Sequence, residues 1–167
     1  MNSTPKHIAI FIGLVTLQVM VLNQINIHGL ANPYIFPLFI LLMPFNTKPA
    51  TLITAGFFLG LLIDFFNGTL GMHAFATTLM AFLRPHFLNY FESKSDKVLF
   101  PSIGNNGFAW MFIYISALLG VHHFCYFIIE AGNFTNLFHT LLLIIISLVV
   151  SVFVIFLLLF GFKSSKK

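Results

Sequence analysis

Residues 56–74 read Gly56-Phe57-Phe58-Leu59-Gly60-Leu61-Leu62-Ile63-Asp64-Phe65-Phe66-Asn67-Gly68-Thr69-Leu70-Gly71-Met72-His73-Ala74. On a helix, Gly56, Gly60, Asp64 and Gly68 recur every fourth position and share one face. Around them the sequence is almost entirely leucine, isoleucine and phenylalanine. A lone acid in such a run is expensive in lipid, so Asp64 needs a structural or functional reason. Asn67-Gly68-Thr69 reads as a tight turn, with apolar helical sequence on both sides. The stretch therefore predicts two membrane helices joined as a hairpin, with a small-residue seam on the first.

The rest of the chain agrees with a membrane setting. Of its 167 residues, 59% are hydrophobic and only 7% are charged. A soluble domain carries about 25% charged residues, so this chain lacks the material for a water-facing coat. Its mean hydropathy is +0.98. Six spans of about 20 residues would leave roughly 45 for connectors and tails. This arithmetic excludes a soluble enzyme and a receptor with a folded ectodomain. The net charge of +4 is spread over 8 scattered Lys and Arg, with no basic stripe of the kind that reads nucleic acid. Cys125 stands alone, which rules out an intramolecular disulfide framework and a paired-cysteine site.

The predicted fold is an all-α, six-span bundle forming a single polytopic domain. Its spans fall at about 7–23, 33–46, 50–66, 70–90, 107–129 and 134–162. The first, preceded by Lys6 and followed by no small-residue cleavage site, reads as an uncleaved span. The second is short enough to be tilted, shallow or partly re-entrant. The last exceeds the hydrocarbon thickness. Lys6, Lys48, Lys94, Lys97 and the lysines of the tail all fall on one side of a six-span weave. The connectors 23–32, 67–69 and 130–133 contain no Lys or Arg. The positive-inside rule then places both termini in the cytoplasm.

Two readings stand for the seam. Gly56, Gly60, Asp64 and Gly68 form either a face on which a partner helix docks, or ordinary packing within the chain, with Asp64 capping the turn into the fourth span. Gly71 completes that turn, and His73 lies close enough to pair with Asp64. Arg84 sits about 14 residues along the fourth span, roughly 21 Å below its outer end. It precedes Pro85 near the cytoplasmic interface. There it either snorkels, holds a carbonyl freed by the proline, or meets a lipid headgroup or partner.

His28, His73, His122, His123 and His139 map to the outer half with Asp64 and Glu130. Imidazole and carboxylate ligands suit zinc, copper or nickel. Yet no HxxxH or HExxH pair gives two ligands on one helical turn, and adjacent His122 and His123 diverge by about 100°. Structural histidines are the expectation, with His73, His122 and His139 the candidate ligands if a metal binds. No cofactor is implied. Neither a nucleophile elbow nor a phosphate-cradling glycine loop occurs, and the expectation is a non-enzymatic protein.

The pattern Gly56-x3-Gly60-x3-Asp64-x3-Gly68-x2-Gly71-x-His73-Ala74 resembles that of MreD, the rod-shape-determining membrane proteins of the bacterial cell-elongation machinery. Gln18, the connector ending Asn32-Pro33-Tyr34, and Leu83-Arg84-Pro85 are similar as well. The likeness covers most of the first four spans; the last two match in hydropathy alone. The gap between Gly29 and Pro33 is wider than the family pattern. The resemblance implies a multi-pass scaffold of the bacterial inner membrane. Such proteins partner with an MreC-type single-span scaffold and, through it, with MreB filaments, the glycosyltransferase RodA and its transpeptidase. It also implies a fold similar to the substrate-binding subunits of energy-coupling-factor importers. The alternative is therefore a substrate-binding membrane subunit of a small-molecule or metal importer, using an outward-opening pocket.

Overall fold

A computed structural model of the chain describes residues 4–25, 32–91, 100–133 and 135–164. They form helices α1 (Thr4–Met20), α2 (Leu38–Leu41), α3 (Pro49–Asn67), α4 (Met72–Phe91), α5 (Ile103–Asn106), α6 (Phe108–Ala131) and α7 (Leu137–Ser164), with a 3-10 turn at Leu22–Gln24. No strand occurs among the described residues. Among the described residues, four helical stretches are long and apolar enough to cross a membrane: His7–Gln24, Pro49–Asn67, Phe108–Ala131 and Leu137–Gly161. They coincide with the first, third, fifth and sixth expected spans. The chain is an all-helical protein with the composition of a membrane bundle.

The fourth expected span is a helix of 20 residues, α4, containing Pro85. It falls outside those four because it carries Thr77, Thr78, Arg84, His86 and Asn89 among its apolar residues. Its most extensive packing is against α3, followed by α6, and α6 in turn packs on α7. A helix with several buried polar groups thus sits between protein neighbours, which supply the partners that lipid lacks.

Residues 33–46, expected to be a short span, are not one helix. Only the four residues of α2 are helical, flanked by Pro37 at the start and by a C-cap at Leu42. Pro33, Pro37 and Pro44 recur too closely for a helix to propagate, because each removes an N–H and biases the residue before it toward extended geometry. The segment is nevertheless the centre of the molecule. Ile35, Phe36, Ile40 and Leu41 are completely buried. It also traverses the bundle lengthwise. Tyr34, near its start, lies edge-on to His73 in the first turn of α4, and Met43 and Pro44 reach Arg84, well down α4.

The hairpin predicted from residues 56–74 is present. α3 ends at Gly68, whose φ of 68° is left-handed and whose N–H bonds the carbonyl of Asp64. Gly71, at φ 82°, makes the second left-handed step. Both are conformations that cost a residue with a Cβ. The helices then close on each other at the small residues. A Cβ on Gly60 would lie 2.5 Å from Ala74 Cα and from His73 O, and one on Gly56 would lie 3.0 Å from Thr77 O. Of the two readings of the seam, packing within the chain is the one observed at Gly56 and Gly60, which face the chain's own α4.

Candidate functional site

The irregular segment 32–44 has no helix to satisfy its backbone, and buried backbone polar groups must find partners. Side chains from four helices supply them. From α1, Gln18 accepts the Ile35 N–H at 2.8 Å and donates to the Pro33 carbonyl at 3.0 Å. From α7, Ser147 Oγ accepts the Asn32 N–H at 3.1 Å and Ser151 Oγ the Tyr34 N–H at 2.8 Å. From α6, the Tyr114 hydroxyl donates to Leu41 O at 2.9 Å. From α4, Arg84 donates through Nη2 to Met43 O and through Nη1 and Nη2 to Pro44 O at 3.4 Å, while its Nε reaches Tyr114 Oη at 2.7 Å. Arg84 is fully buried. Snorkelling toward the interface is therefore not its role. It does hold carbonyls, but those of the neighbouring segment rather than one freed by Pro85.

Asp64 caps α4. Its Oδ1 accepts the His73 N–H at 3.0 Å and its Oδ2 the Ala74 N–H at 2.8 Å, and the Thr69 hydroxyl also donates to it. The first N–H groups of a helix have no partner within it and carry a partial positive charge, so a carboxylate is well placed there. With 2% of its surface exposed, Asp64 is committed to this cap. The expected pair with His73 exists only through the His73 backbone, because that ring points elsewhere.

The His73 ring ends a relay of amides. Gln18 Nε2 donates to Asn23 Oδ1, Asn23 Nδ2 to Asn67 Oδ1, and Asn67 Nδ2 lies 3.3 Å from His73 Nε2. His73 stacks on Tyr126 at 4.1 Å and on His122 at 5.9 Å, with Tyr34 edge-on at 4.8 Å. His123 bonds Leu119 O and Ser151 Oγ. Neither nitrogen of His122, nor His73 Nδ1, has a hydrogen-bond partner among the described residues. The fold thus brings His73, His122 and His123 together beside two tyrosines. Of the other candidate ligands, His139 lines a separate cavity of about 240 Å³ between α6 and α7. His28 lies outside the described residues. No group of three His, Cys, Asp or Glu side chains forms a ligand set among the described residues.

Above this cluster is a cavity of about 430 Å³, lined by Asn23, Asn32, Tyr34, Asn67, Tyr126 and Glu130 among others. Glu130 is exposed near the end of α6 and accepts the Tyr126 hydroxyl at 3.0 Å. The cavity is polar, aromatic and negatively charged, and its volume lies in the small-molecule range. Gly68 and Gly71 serve the turn, and Pro85 lies half-buried within α4.

Sequence reasoning missed Tyr114, Ser147 and Ser151. Their signal was present but faint: Ser147 and Ser151 are four residues apart, on one face of an otherwise apolar helix. Comparison with known protein families, with characterised proteins and with solved structures finds no match to this chain.

Proposed function

We propose that the chain is a non-enzymatic scaffold of the MreD kind in the bacterial inner membrane, binding an MreC-type single-span protein and helping to organise peptidoglycan synthesis. What carries the reading is that the residues of the resemblance act together in the fold. Gly56 and Gly60 admit α4, Asp64 caps it, Gly68 and Gly71 turn the chain, and Gln18 and Arg84 hold the two ends of segment 32–44. A sequence pattern whose members each have a physical task is unlike a chance match of small residues. In this reading the chain crosses the membrane six times with both termini cytoplasmic, the second crossing being the unwound segment and the fourth α4. The partner's helix meets an outer face of the bundle, since the glycine seam is taken.

The test is affinity purification of the tagged full chain from native membranes. Recovery of an MreC-type protein, with the RodA machinery behind it, is the expected result. Its absence from the eluate under mild detergent would sink the reading. One observation favours a second reading, the substrate-binding subunit of an importer: the cavity of about 430 Å³. Recovery of an ATPase module in place of the scaffold would establish that alternative.

A further inference from the structure

The outer cavity has a chemical preference that neither reading specifies. Several of its donors are engaged within the protein. The Thr69 hydroxyl donates to Asp64, the Tyr126 hydroxyl to Glu130, one Asn23 N–H to Asn67, and one Asn67 N–H to the His73 ring. Its acceptors keep room for the N–H groups of a ligand. A carboxylate offers about four lone-pair sites and an amide oxygen two, so Glu130, Asn23 and Asn67 keep capacity after these bonds. Among the described residues Glu130 is the only charged side chain lining the cavity, and the sequence puts no Lys or Arg in the connectors 23–32, 67–69 or 130–133. An anion entering here would meet a carboxylate with no cation to offset it. Tyr34 and Tyr126 cross edge-to-face at 5.2 Å and both line the cavity beside that carboxylate.

We propose that this cavity binds a small molecule bearing an ammonium group, the ammonium held by Glu130 against Tyr34 and Tyr126. It takes up the cavity behind the importer reading but requires no transport, and it stands equally if the chain is a scaffold. The same ammonium chemistry is found in free amines and in ethanolamine lipid headgroups.

Calorimetric titration of the purified full chain in detergent with ethanolamine, tetramethylammonium and spermidine tests the free source. Nanodiscs containing phosphatidylethanolamine or only phosphatidylglycerol, read by native mass spectrometry, test the lipid source. Saturable binding of an amine, or selective retention of the ethanolamine lipid, is expected in one arm, weakened at least tenfold by Glu130→Gln. Because Glu130 also lines the smaller cavity, Gln24→Arg and Asn136→Arg separate the two: the first should abolish binding and the second leave it intact. Both positions are exposed, so folding should survive. No binding in either arm, unchanged binding in Glu130→Gln, competition by succinate, or loss in Asn136→Arg instead of Gln24→Arg would each overturn the proposal. Uptake assays in cells are a separate readout. Binding without uptake removes the importer reading and leaves this site standing.

Discussion

The carboxamide oxygen of Gln18 lies 2.8 Å from the backbone nitrogen of Ile35, while its nitrogen donates to the carbonyl of Pro33. One side chain on α1 thereby stands in for two backbone partners that a regular helix would have provided. This is the condition under which non-helical chain persists inside a membrane bundle: it must be covered by protein and its polar groups answered by side chains. Asn32, Tyr34, Leu41, Met43 and Pro44 are answered in the same manner by Ser147, Ser151, Tyr114 and Arg84.

Replacing Gln18 by Leu should leave the Pro33 carbonyl and the Ile35 N–H buried without partners. An orphaned buried group costs about 1–3 kcal/mol, so Gln18→Leu should lower the unfolding midpoint in detergent titrations. Gln18→Glu keeps an acceptor for Ile35 but turns a buried carboxylate toward the Pro33 carbonyl and Asn23 Oδ1, and should cost at least as much as Leu. An unchanged midpoint in Gln18→Leu would show that the segment has other partners.

The Asp64 cap makes a second graded prediction. Removing an N-cap acceptor costs about 0.5–2 kcal/mol. Asp64→Ala should lose stability in that range, and Asp64→Asn less, because one acceptor oxygen remains. Hydrogen exchange should localise the loss to the amides of His73 and Ala74. Uniform destabilisation with no local change there would contradict the capping role.

How much of this was legible can be argued from the same residues. The hairpin was, because glycine spacing and a turn signal are local features, and Gly60 and Gly68 serve as their spacing suggests. The need of Asp64 for a buried reason was legible too. Its choice between partner docking and capping was not, since that depends on whether α4 or a foreign helix fills the seam. Segment 33–46 was read as a short span from its apolar composition, yet its prolines already argued against a continuous helix. What composition cannot reveal is that Gln18, Arg84, Tyr114, Ser147 and Ser151, spread over four helices, converge on one unwound stretch. That convergence is purely tertiary.

Arg84 and Tyr114 should behave as one unit. Nε of Arg84 donates to Tyr114 Oη, which donates onward to Leu41 O. Arg84→Lys keeps the charge but loses the planar fork that serves a phenol and two carbonyls together, so it should not be conservative. Tyr114→Phe should cost less than Arg84→Lys. Residues in one hydrogen-bond network couple by about 0.5–3 kcal/mol, so the double variant should be destabilised by clearly less than the sum of the singles. Strict additivity in a thermal or detergent unfolding series would mean the contact carries no energy.

The glycine seam gives the prediction that most directly separates packing from partner binding. A Cβ at position 60 would meet the backbone of His73 and Ala74 at 2.5 Å, closer than real Cβ atoms approach. Backbone cannot step aside as a flexible side chain can, so α3 and α4 must separate. Overpacking of this kind costs about 1–3 kcal/mol. Gly60→Ala should therefore lower the unfolding midpoint, whereas Gly13→Ala, with nothing within 4 Å of the added methyl, should be neutral or slightly stabilising through helix propensity. On the proposed scaffold reading, co-purification with an MreC-type partner should then track the stability of the Gly60 variants, because an outer docking face depends on the fold that the seam maintains. A Gly60→Ala protein of native stability that loses its partner would reverse the assignment, making the seam an interface after all.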